Sequence, residues 1–153
     1  MSFTCCWFRP GSRDGRSGCV TMRNVLSTVV QAFGSASART LRDRASAELH
    51  LPAATRCLVV DGVRGWLYPL CSEPGDHYLL FAYFDGSAYQ VKVVSPAVED
   101  HVDAHACHLF SDGRICFGQS DAGGMPTLTS AYAKSVLWVN GYSVYLRTSR
   151  FAF

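Results

Sequence analysis

Five residues with reactive side chains crowd one short stretch of this chain: His101, His105, Cys107, His108 and Cys116. A thiolate is an intrinsically strong nucleophile, and the histidines shortly upstream are its candidate partners. Covalent chemistry is therefore the first expectation. Cys116 leads as nucleophile because it follows a tight turn, Phe110-Ser111-Asp112-Gly113-Arg114, and sits between Ile115 and Phe117. Ser-Asp-Gly supplies polar side chains that bond their own backbone and a residue free to take positive φ. Cys107 lacks that apolar-Cys-apolar setting. His108 is the leading partner, His105 the second and His101 a distant third; a scaffolding role for His108 competes with the chemical one. The acids nearby (Glu99, Asp100, Asp103, Asp112 and Asp121) would raise a thiol pKa. The same His and Cys side chains are soft metal ligands, but no C-x-x-C occurs and no second pair stands at ligand spacing, so no metal and no cofactor is expected.

The frame that must hold these residues is legible as a change of hydrophobic period. From Arg23 to Leu49 apolar residues recur at helical spacing, weakened at Gly34-Ser35-Ala36-Ser37 and ended by Pro52. Residues 56–94 switch to four short strand-like runs, separated by Asp61-Gly62, by Glu73-Pro74-Gly75-Asp76 and by Asp85-Gly86-Ser87. Four such runs with short turns make an antiparallel meander, whose apolar face the flanking helices must cover. Ser95-Pro96 stops the fourth strand, and residues 97–126 form a long loop of the sort more often functional than idle. A helix then starts at Leu128 with Thr127 as its cap, carries a stripe of Leu128, Tyr132, Val136, Val139, Tyr142 and Leu146, and ends near Thr148. Phe151 and Phe153 fold back as apolar anchors, and Tyr132, Trp138, Tyr142 and Tyr145 pack on the sheet rather than forming a binding cage.

Composition bounds the function. The chain has 153 residues, 48% of them apolar and 17% charged, which suits one folded α+β domain and excludes disorder. No apolar run reaches the roughly 20 residues that span a bilayer. Seven cysteines, an odd number without regular spacing, favour a reducing compartment such as the cytoplasm over a disulfide framework. Residues 1–56 carry eight Arg against three acids, and no aromatic residue interleaves Arg39, Arg42, Arg44 and Arg56, so a protein partner is favoured over nucleic acid. Residues 1–21 are Arg-, Ser- and Cys-rich without periodicity: a disordered leader, or a start codon placed too early with Met22 the true one, leaving 22–153 as the domain.

Two segments together resemble a known family. His108-Leu-Phe-Ser-Asp-Gly-Arg-Ile-Cys116-Phe is similar to the histidine, turn and apolar-Cys-apolar triplet of bacterial ubiquitin-conjugating (E2) proteins from antiphage defence operons. Trp138-Val-Asn-Gly-Tyr142-Ser-Val-Tyr145-Leu-Arg-Thr148-Ser-Arg-Phe151 resembles their final helix, with Ser143, Tyr145, Ser149 and Phe151 where those proteins carry Glu, Trp, Gly and Trp. The His-Pro-Asn ahead of the cysteine in eukaryotic members is missing, and Met125-Pro126 stands for their Trp-Pro. The resemblance implies a ubiquitin-conjugating fold over roughly residues 56–153. It further implies a Cys116 thioester of a ubiquitin-like protein, an E1-like activating enzyme that meets the Arg-rich first helix, an acceptor protein, and a place in antiviral defence. The alternatives are a catalytically idle interaction module of the same fold and a small cysteine hydrolase using Cys116 and His108.

Overall fold

Helix, four strands and helix follow one another in the chain order that the periodicity predicts. The computed structural model describes residues 38–98, 103–118 and 123–151, within a unit that spans Ala38–Phe153. The 1–21 leader, the helical pattern before residue 38, and Phe153 lie outside the described residues.

Helix α1 covers residues 38–50. Its inward face is narrow: Asp43, Ala47 and then Leu51 recur at i+4, while Leu41, Arg42 and Arg44 face outward. Pro52 has no N–H to continue the ladder, and its carbonyl accepts from both the Thr55 amide (2.9 Å) and the Thr55 hydroxyl (2.6 Å).

Strands β1 (Arg56–Val60), β2 (Val63–Cys71), β3 (His77–Phe84) and β4 (Tyr89–Ser95) form one antiparallel sheet in sequential order. The turns use the expected residues. Asp61 and Gly62 both have positive φ (50° and 78°), the primed turn that suits the twist of a two-residue hairpin. In the β3–β4 turn the Asp85 carboxylate accepts from the Ser87 and Ala88 amides (2.8 and 2.9 Å) and from the Gln90 amide (2.7 Å). Burial works against ionising Asp85, but these donors outweigh it and hold its carboxyl below the usual carboxylate range.

Period two sends Tyr78, Leu80, Ala82 and Phe84 to one face of β3, and both helices cover that face. Arg39 of α1 lies 4.1 Å over the Phe84 ring, and the Tyr89 hydroxyl donates to Asp43 (2.5 Å). Helix α2 (Leu128–Thr148) crosses β2, β3 and β4. Thr127 and Ser130 form a reciprocal capping box at its start, and Ser149 in the left-handed region closes its end.

The buried stripe of α2 differs from the predicted one. Leu128, Ala131, Ser135, Trp138, Val139, Tyr142 and Ser143 are buried, whereas Val136 is half-buried and Leu146 is 48% exposed. Two serines displace larger apolar residues because the sheet presents hydroxyls to them. Tyr68 meets Ser135 (2.9 Å) and Tyr78 meets Ser143 (2.7 Å), and Ser143 also donates to Ser72 (2.8 Å). A buried hydroxyl needs a partner, so the small polar side chain is the better fit there. The aromatic residues of α2 pack as expected: Tyr132 edge-on to Tyr68, and Trp138 stacked on Tyr142 with Tyr78 edge-on to both.

Candidate active site

Residues 103–117 of the loop after β4 are held by a run of backbone bonds. Asp103 opens it: its carboxylate accepts from the His105 and Ala106 amides (3.0 and 3.1 Å), and its carbonyl accepts from Cys107 (3.0 Å). One helical turn results, continued by His108 N–H to the His105 carbonyl and Leu109 N–H to the Ala104 carbonyl. His108 then takes φ 53°, the left-handed conformation that turns the chain out of the helical turn. The Phe110 carbonyl accepts from Gly113 (2.9 Å) and Phe110 N–H reaches the Arg114 carbonyl (2.8 Å), so the Ser-Asp-Gly turn forms where predicted. Below it the Cys116 amide donates to the His108 carbonyl at 2.7 Å.

This small hairpin is laid along the free side of β4. Val93 N–H bonds the Gly113 carbonyl and Ile115 N–H bonds the Val91 carbonyl, making 113–115 a short extra strand. Further on, Tyr89 and Met125 exchange two bonds (2.7 and 2.9 Å). Strand alternation then decides the fate of the thiol. Ile115 (0% exposed) and Phe117 (4%) point into the core, so Cys116 between them turns to the surface and is partly exposed. Phe117 N–H bonds the Gly123 carbonyl, which brings the chain back beside the cysteine. Gly123 (φ 63°) is needed there, because a Cβ would lie 2.6 Å from the Phe110 ring and 3.4 Å from the Cys116 Cα.

The structure thus joins Cys116 and His108 through their backbones and places the His108 ring against Phe151 (centroids 5.4 Å apart). Both histidines 105 and 108 are exposed, and His105 adjoins the pair through its carbonyl. His101 lies outside the described residues. Cys107 is a core thiol: it is fully buried and burial pushes it up, against a bond from the Tyr145 hydroxyl that lowers it. Among the described residues no three His, Cys, Asp or Glu side chains converge.

Two of the five acids around the site, Asp103 and Asp112, lie among the described residues. Asp112 is not a bare charge: Arg114 Nε sits 2.6 Å from its carboxylate and the Arg114 amide 3.1 Å. Burial works against the Asp112 anion, but the guanidinium outweighs it and holds the carboxyl low. Asp103 is engaged with two amides, while Glu99, Asp100 and Asp121 lie outside the described residues. What sequence reasoning missed is the tie beneath the loop. Trp138 Nε1 donates to the Cys107 carbonyl (2.8 Å) from the middle of α2. A tryptophan on an apolar helical face hints at such a bond, since its N–H must find an acceptor when buried, but not at which carbonyl.

Among the described residues no helix is long and apolar enough to cross a membrane. No protein-family model, no curated protein and no solved structure matches this chain.

Proposed function

We propose that the protein is a ubiquitin-conjugating-type carrier that holds a ubiquitin-like protein as a thioester on Cys116. The observation that carries this reading is the setting of Cys116: a partly exposed thiol on a strand-like segment whose two neighbours are core residues, clamped by its own amide to His108. A carrier needs a nucleophile whose position does not relax when a bulky acyl group arrives, and rigid backbone anchoring supplies that. In the first step the Cys116 thiolate would attack the thioester carbonyl of the activated donor. A new C–S bond forms, the donor's thiolate leaves, and the exchange is nearly isoenergetic. In the second, an acceptor amine would attack the same carbon, release Cys116 as thiolate and lose its proton to solvent or a nearby base. Between them the tetrahedral oxyanion needs a donor, a role the exposed imidazole of His108, with His105 as understudy, would fill.

The layout around the thiol supports the same reading: α1, a four-stranded meander, a cysteine loop on the outer side of β4 and a long final helix, in that order. The resemblance to bacterial defence proteins adds the partners: an E1-like activating enzyme meeting the Arg-rich face of α1, a ubiquitin-like protein and an acceptor protein. Exchange of this kind needs free thiols, which suits the cytoplasm.

The test is reconstitution with an E1-like activating enzyme, a ubiquitin-like protein and ATP. A thiol-sensitive adduct that vanishes in Cys116→Ala and persists in Cys107→Ala is the expected result. A folded protein that forms no adduct would instead be an idle interaction module, and ATP-independent release of an acyl product would mark a hydrolase. His108→Ala should slow discharge to amine at least tenfold while leaving loading within a few-fold, a split that a purely scaffolding histidine would not give.

A further inference from the structure

The two edges of the sheet are treated differently. The β4 edge is occupied by residues 113–115 and 125, whereas β1 pairs with β2 alone among the described residues. All five residues of β1 are exposed, including Leu58 (39%), Val59 (62%) and Val60 (46%). β1 holds no proline, no lysine and no bulge, and its register with β2 runs unbroken from Arg56↔Leu67 to Val60↔Val63.

We infer that β1 is a self-association edge, on which a second copy of this chain adds its own β1 antiparallel across a twofold axis at Leu58. The phase of the hydrogen bonds selects this register. A two-residue turn is closed by a hydrogen-bonded pair, here Val60 and Val63, so Val60, Leu58 and Arg56 bond inward to β2. The N–H and C=O groups of Cys57 and Val59 therefore face outward. Setting Cys57 opposite the second copy's Val59, and the reverse, satisfies all four outward groups on each copy. Registers centred on Cys57 or Val59 would push one pair into the bend at Thr55 or the left-handed turn at Asp61. Charge agrees with the antiparallel sense. Arg56 begins the strand and Asp61 follows its end, so each basic end lies beside the other copy's acidic end, whereas a parallel pair would set like against like. Arg64 stands one strand further in, opposite Val59 on the other face of the sheet. The pairing joins two sheets of four strands into one of eight. It requires nothing of Cys116 and stands apart from the carrier reading.

Five residues a side fall well short of the ~800 Å² per partner of a stable complex, so the association is weak and concentration-dependent. Sedimentation of the full chain under reducing conditions should show a weight-average mass rising from 16.7 kDa toward twice that between about 10 μM and about 1 mM. Leu58→Lys sets two ammonium groups against each other at the axis and should weaken association at least about tenfold. Leu137→Lys, which removes an exposed apolar side chain from α2, should leave it unchanged. Leu58→Cys puts two thiols on a non-hydrogen-bonded pair about 4.5 Å apart at Cα, within disulfide reach. Mild oxidation should trap it as a dimer well above the wild-type background. Val60→Cys should not be trapped, since four residues of offset separate its two copies by about 13 Å. A chain that stays monomeric throughout overturns the inference. So does a dimer that Leu58→Lys leaves intact, or equal trapping of the two cysteine variants.

Discussion

Replacing Trp138 by Phe tests whether α2 holds the cysteine loop in place. The indole is fully buried, stacks on Tyr142 at 4.7 Å and gives its one polar hydrogen to the Cys107 carbonyl at 2.8 Å. Phenylalanine keeps a ring in that stack but strands the carbonyl in a dry core, which costs about 1–3 kcal/mol. The two carbons lost add about 1 kcal/mol or slightly more. The sum, about 2–4 kcal/mol, corresponds to a fall of about 6–12 °C in Tm at roughly 3 °C per kcal/mol for a chain of this size. The loss should be uneven. Leu109 N–H and Cys116 N–H bond within the loop that Trp138 anchors, so their hydrogen exchange should accelerate well beyond that of amides in β2 and β3. Tyr78→Phe, which removes the bond to Ser143 on the same helix, serves as the comparison: it should cost about 1 kcal/mol without selective loss of loop protection. A Trp138→Phe protein no less stable than Tyr78→Phe, or one whose loop amides exchange in step with the sheet, would refute the tie.

Alkylation followed by peptide mapping should rank the four described cysteines: Cys57 and Cys71, both exposed, label first, Cys116 next, and Cys107 only on unfolding; a Cys116 as protected as Cys107 would end the carrier proposal. Gly65→Ala should destabilise by about 1–3 kcal/mol in urea titration, because its Cβ would fall 2.4 Å from the Phe81 ring and 2.6 Å from the Ala82 carbonyl oxygen. Asp76 is held down to about 2 chiefly by its bond to Arg147, below the ~3.9 of an unfolded chain. Its contribution is therefore present above pH ~4 and lost as pH falls toward 2. The pair is one-third to one-half exposed, so Asp76→Asn should cost no more than about 1 kcal/mol at neutral pH and flatten the stability profile over that acid window.

Local signals carried most of the fold into the sequence. Period-two runs between Asp-Gly and Pro-Gly turns become β1 to β4, and Thr127 ahead of a helical run becomes a capping box, because each depends on residues no more than a few positions apart. The buried face of α2 was not legible in full. Ser135 and Ser143 look like solvent-facing residues until Tyr68 and Tyr78, more than 60 positions away, bring hydroxyls to them. At the site, the Asp112-Gly113 turn and the apolar flanks of Cys116 were readable, while the left-handed His108, the Arg114 partner of Asp112 and the indole under Cys107 were not. Each of those depends on how the loop lies on β4 and α2, which no local pattern encodes.

The two cysteines of this loop show how that placement sorts chemistry. Cys107 and Cys116 are nine positions apart and of one type, yet one is a core thiol and the other faces outward. The difference is backbone conformation. Cys107 closes a helical turn begun by Asp103, and that turn presses it under Trp138 and Tyr145. Cys116 follows a strand-like residue bonded to β4, and alternation with Ile115 and Phe117 leaves its side chain no inward direction. The positive φ of His108 is the point where one regime becomes the other. The outward-facing thiol is thus specified here less by its immediate neighbours' charge than by the register of one short extra strand, and a one-residue slip there would bury Cys116 and expose two core side chains.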